Sequence, residues 1–201
     1  DGIYGIFSTG NKISGENFSN IIQRTKVEPI GSNASDTGDL TVARAGGACA
    51  GNGSRAVWAS GYNNTSPVDK NTMDYVVIQT TGNATDFGDT TYSRYNTCGT
   101  GGDTRGLFMA GRSGASATWY DNIEYITIES AGNATDFGDL TEQKDGPPAA
   151  SNNGTRACCY GGSKSPAAKN TIEYVVIATT GNGTDVGDLT AANNGPTSSS
   201  G

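Results

Sequence analysis

Histidine is absent from this 201-residue chain. Its absence removes Ser-His-Asp and Cys-His catalysis, and with them the commonest metal ligand. Cysteine is scarce: Cys49, Cys98, Cys158 and Cys159 are the only four, and none has the C-x-x-C spacing of a zinc site. Neighbours on a strand face opposite sides, so Cys158 and Cys159 are expected to part. The four are read as small buried apolar residues; a Cys49–Cys98 disulfide between adjacent repeats is the alternative. No apolar run approaches the roughly 18 residues of a membrane helix. No long 3.6-period stripe is present, so almost no helix is expected. Basic residues are outnumbered, 13 against 20 acids, and the net charge of −7 disfavours nucleic-acid backbones. These absences predict no cofactor, no metal, no nucleic-acid partner and no membrane insertion.

Glycine is abundant, at 30 residues, and Gly, Asn, Asp, Ser and Thr separate short apolar runs. That pattern predicts many strands and turns. One string organises the rest. Gly82-Asn83-Ala84-Thr85-Asp86-Phe87-Gly88-Asp89 returns unchanged as 132–139, and in altered form as 31–39 and 181–188. Its Gly-Asp pairs fall at 38, 88, 138 and 187, a period of 50, 50 and 49 residues. A fixed period of this length marks a repeat architecture. The expectation is a single domain, 1–201, of four repeats at approximately 1–52, 53–102, 103–153 and 154–201.

Each repeat opens on an apolar run ending in Gly: 5–10, 56–61, 106–111 and 157–162. Small residues mixed with large ones suit the innermost strand of a blade. A variable loop follows, at 11–19, 62–70, 112–121 and 163–169. Such loops collect on one face of repeat proteins, often the binding face. The strongest strand comes next, as in Asn170-Thr171-Ile172-Glu173-Tyr174-Val175-Val176-Ile177. Its apolar residues fall on both faces, which predicts sheets covered on both sides. The first copy, 20–27, is more polar, as an end repeat with one uncovered face should be. The repeated string and a Leu-Thr segment follow, and a Gly/Ala/Asn-rich passage then leads to the next repeat's first strand, which gives three or four strands per repeat.

This order resembles a kelch-like repeat: Gly161-Gly162, then Asn170-Thr171-Ile172-Glu173-Tyr174, then Asp185-Val186-Gly187-Asp188-Leu189, with Arg44 or Arg94 after the corresponding segment. The family's Trp is missing; Phe87 and Phe137 stand near its place. The resemblance implies an all-β fold, a β-propeller of four ~50-residue kelch-like repeats, either closed and four-bladed or an arc of a larger propeller. The wording Tyr-Val-Val-Ile-x-Thr-Thr-Gly-Asn is also similar to repeats in virion structural and tail-fibre proteins of marine bacteriophages, notably those of cyanobacteria. This implies a non-enzymatic component at the virion surface or outside the cell. It would recognise a host-surface glycan or protein, and would assemble with other virion or fibre subunits or with itself. An adhesive or fibril-forming glycoprotein is the alternative, and a polysaccharide-active propeller enzyme a further one.

The candidate ligand-binding residues lie in the variable loops: Tyr62, Asn63, Asn64, Arg112, Trp119, Tyr120 and Lys164. Rings stack on the apolar faces of sugars while amides hydrogen-bond. No catalytic residue is assigned. Repeat-locked Asn-x-Ser/Thr sequons at Asn33, Asn83, Asn133 and Asn182 are candidate glycosylation sites, with further sequons at Asn17, Asn52, Asn63, Asn64 and Asn153. The same Asn and Asp residues suit Asx-turns, and that reading is preferred to Ca²⁺ binding by the Asp86/Asp89 turns. Arg55, Arg105 and Arg156 recur at one position, as do Arg44 and Arg94, either as an anion-binding ring or, the preferred reading, as anchors to neighbouring-blade carbonyls and acids such as Asp74 or Asp89. The chain begins at Asp1, which suggests a processed product or a piece of a longer polypeptide, and 197–201 reads as a loop or linker.

Overall fold

The computed structural model describes residues 4–8, 10, 18–27, 33–66, 68–145 and 148–195. The Asn17 sequon, the 197–201 tail and most of the 11–19 loop lie outside them. The described residues are all-β, with no helix. They form four main antiparallel sheets, one after another along the chain. The first holds β1 (Tyr4–Ser8), β2 (Ile21–Lys26) and β3 (Ser35–Asp39). The second runs in order through β4 (Ala48–Gly51), β5 (Arg55–Ala59), β6 (Thr72–Val77) and β7 (Thr85–Asp89). The third holds β8 (Cys98–Gly101) and β9 (Arg105–Met109), and after a small hairpin of β10 (Arg112–Ser113) and β11 (Thr118–Trp119) it adds β12 (Asn122–Thr127) and β13 (Thr135–Asp139). The fourth is β14 (Ala149–Asn152), β15 (Arg156–Tyr160), β16 (Ser163–Lys164), β17 (Ala167–Val176) and β18 (Thr184–Asn193).

The Gly-ended apolar run is the second strand of its sheet, not the innermost. The innermost is the Gly/Ala-rich passage read above as a connection, namely β4, β8 and β14, which pack side by side. Their small residues are a steric requirement. A Cβ on Gly101 would stand 2.2 Å from the Gly51 carbonyl oxygen. Each four-stranded sheet therefore takes its first strand from the end of one sequence repeat and three from the next.

Successive sheets meet face to face over three apolar clusters. Trp58 and Val76 of the second sheet cover Ile22 and Leu40 of the first. Phe108, Ile126 and Ile128 cover Val57, Met73 and Phe87. Cys159, Val175 and Ile177 cover Leu107, Ile123 and Phe137. Each junction also carries a buried ion pair. Arg44 meets Asp74 at 2.6 Å, Arg94 meets Glu124 at 2.7 Å, and Lys144 meets Glu173 at 2.6 Å. The acid comes from the long strand of one sheet and the cation from the segment leading into that sheet. The acid also accepts a bond from the Thr of the preceding Leu-Thr or Thr-Thr pair: the Thr41 hydroxyl, or the N–H of Thr91 or Thr141.

The repeated string supplies a third contact. Asp74 pairs with Asp86 and Met73 with Gly88, which leaves Phe87 as a bulge residue turned into the junction. The turn before it clasps the outer strand of the preceding sheet. Gly82 N–H donates to Thr37 O (2.7 Å), Ala84 N–H donates to Asp39 O (2.8 Å), and Asp39 N–H donates to Asn83 Oδ1 (3.1 Å). Residues 132–134 and 181–183 repeat this on Phe87–Asp89 and Phe137–Asp139.

The cysteines depart from expectation in part. All four are free thiols; Cys49 is exposed and Cys158 half-buried. Cys98 does not pair with Cys49. Its sulfur lies 3.8 Å from that of Cys159 in the third junction, and this contact together with burial pushes the Cys98 thiol up. The recurrent arginines stack on their own sheet's Tyr: Arg55 over Tyr75, Arg105 over Tyr125 and Arg156 over Tyr174, at 4.4–4.7 Å. The first sheet keeps the pair with its members exchanged, Arg24 over Tyr4 at 4.5 Å. Arg55 and Arg105 also donate to the Ile128 and Ile177 carbonyls of the following sheet.

Candidate functional site

The variable loops beginning at 62, 112 and 163 gather at one end of the sheets because each begins with the same pairing. Ala45 pairs with Tyr62, Tyr95 with Arg112, and Asp145 with Ser163, each as an isolated antiparallel bridge. The glycine before each loop makes this approach achievable. Gly61, Gly111 and Gly162 have φ of 112°, 103° and 95°, and a Cβ there would come within 2.7–2.8 Å of the partner's carbonyl oxygen.

The bridges set out a row of side chains across the loops. Phe18 meets the edge of Tyr62, with ring centroids 5.3 Å apart, and Tyr62 lies 4.8 Å from Tyr95. The Arg112 guanidinium sits over Tyr95 at 5.0 Å and pairs with Asp145 at 3.1 Å. Asp145 is buried and accepts two further bonds, from Trp119 Nε1 and Ser163 Oγ, both at 3.2 Å. Arg112, Trp119, Asp145, Ser163, Asn96 and Asn194 line a cavity of about 420 Å³. Nearby, Glu142 is bonded by Lys169 and Thr171. Burial alone would raise the Glu142 carboxyl, but those bonds and Lys144 hold it below its ordinary value.

Of the residues singled out from sequence, Arg112 and Trp119 line this cavity together. Tyr62 joins the row one sheet away, half-buried. Asn63 is a turn residue: its amide donates to Ala43 O at 2.8 Å, and its oxygen accepts from Thr65 N–H at 2.9 Å. Asn64 is exposed beside it. Tyr120 stacks with Tyr92 at 4.9 Å, beside the buried Arg94, and takes no part in the cavity wall. Lys164 reaches Gln143 at 2.9 Å. Asn33, Asn83, Asn133 and Asn182 are all exposed, and the last three hold the clasps by their side-chain oxygens. Asn96, Asp145, Ser163 and Asn194 were missed. A signal for one was present: position 45 is Ala, 95 is Tyr and 145 is Asp, while the preceding position stays basic.

No family model and no curated protein matches the sequence. A solved structure described as "Structure of YjhT" is similar in fold, with TM-score 0.71 at 7% identity, over 86% of this chain and 60% of that one. The chain thus spans about three-fifths of that protein's length.

Proposed function

We propose that the chain is an arc of a kelch-like β-propeller, one sheet per blade, acting as a non-enzymatic surface module that holds a host-surface glycan in the cavity beside Trp119. Face-to-face sheets and fold similarity to a longer chain support the arc. The motif resemblance supports a virion or tail-fibre setting outside the cell. The observation that carries the glycan is the Trp119 indole, fixed edge-on by Asp145 beside Arg112 and two Asn residues in a polar cavity. A ring wall with convergent polar groups is the arrangement that binds saccharides. The lining holds one carboxylate, and that carboxylate already has three partners. A glycosidase uses two carboxylates flanking the scissile bond, so this favours binding over hydrolysis.

Titration calorimetry against a panel of bacterial surface saccharides tests the reading. Trp119→Ala is expected to weaken the binding found by roughly tenfold or more, about 1.4 kcal/mol. Binding untouched by both Trp119→Ala and Arg112→Ala would sink it.

A further inference from the structure

The three internal junctions share one design, and the chain's two ends carry the two halves of a fourth. On the fourth sheet, Val186 occupies the place of Phe87 and Phe137. Those two are 3% and 2% exposed, and Val186 is 56% exposed. Ile172 and Leu189 around it are only half-buried, whereas their counterparts Met73, Ile123 and Leu140 are buried. On the first sheet, Phe7 and Val27 stand where Trp58 and Ile78 cover a preceding sheet, and they are 43% and 47% exposed. Thr25 shares that face: a Cβ on Gly5 would lie 3.6 Å from Val27 and 3.8 Å from Thr25.

The polar positions match as well. Internal junctions pair a cation at 44, 94 or 144 with an acid at 74, 124 or 173. The end counterparts are Asn193 and Gln23, both neutral amides. Each would meet a buried charge without its counter-ion if opposed to an internal half, but the two suit one another as hydrogen-bonding partners. The clasp is divided in the same way. Asn33-Ala34 stand at the clasping position with no sheet before them, and among the described residues none clasps the outer edge of β18 at Val186–Asp188.

We infer that a second copy of this chain completes the fourth junction head to tail, its Phe7 face on Val186 and its Gln23 beside Asn193. The chain's own first sheet is already placed by the internal junctions, and there its Phe7 face stays exposed. The contact is heterologous, so it propagates until the rotation closes a ring.

Sedimentation velocity over a concentration series tests this, independently of any ligand at Trp119. The wild-type chain is expected to associate. Val186→Lys and Phe7→Lys, both at exposed positions and checked for fold by circular dichroism, are each expected to be monomeric. An equimolar mixture of the two has one intact face per copy, and is expected to stop at the dimer. A wild-type chain monomeric at every concentration overturns the inference. So does association that survives either substitution, or a mixture that stays monomeric.

Discussion

At the residue scale, Arg94 is the most committed side chain. It is fully buried, pairs with Glu124, and donates to the carbonyls of Phe108, Ala110 and Asn122. Burial lowers its pKa while Glu124 opposes the shift. Removing one member of such a pair strands the other charge, so Glu124→Gln should cost about 3–5 kcal/mol in urea unfolding. The double variant Arg94→Met/Glu124→Leu should cost less than the sum of the single changes. The sequence already made Arg44 and Arg94 anchors to neighbouring carbonyls and acids. It did not make Lys144 one, because a change from Arg to Lys hides the equivalence until Glu173 is seen 2.6 Å away.

At the element scale, the repeated string is a clasp and a bulge. Gly138 has φ of 143°, and a Cβ there would lie 2.5 Å from the Gly181 carbonyl oxygen. Gly187 has nearly the same φ, 141°, with nothing near it. Gly187→Ala should therefore cost only backbone strain, about 1–3 kcal/mol. Gly138→Ala should cost about twice that, because the clasp must also shift. Thermal unfolding of the two variants in dilute solution checks the difference. Strands rich in β-branched residues were legible from their pattern, as were the turns. The innermost strands were not. Ala48–Gly51 and Cys98–Gly101 carry almost no side chain because a neighbouring backbone occupies the space, and small residues read locally as a connection. The cavity was half legible for a related reason. Arg112 and Trp119 stand out in their loop, whereas Asp145 and Ser163 acquire meaning only once the bridges bring successive repeats together.

At the scale of the whole molecule, the sheets form a row in which each touches its neighbours. Stability in such a row is close to a sum of repeat and nearest-neighbour terms. The second and third sheets are covered on both faces and the end sheets on one. Amide hydrogen exchange on the dilute chain should accordingly find β6 and β12 the slowest, and β2 and β17 faster. Equal protection in all four would mean that the junctions act as one cooperative block. The clasp has a consequence for how such a chain changes length. A sheet holds its predecessor by the turn at 82–84 and offers its successor the edge at 87–89, so lock and key travel in the same 50-residue block. Duplicating or deleting one whole block keeps every surviving junction matched without a compensating substitution. An insertion of any other length between the two separates a lock from its key. Copy number is thus the coordinate along which this architecture varies most freely.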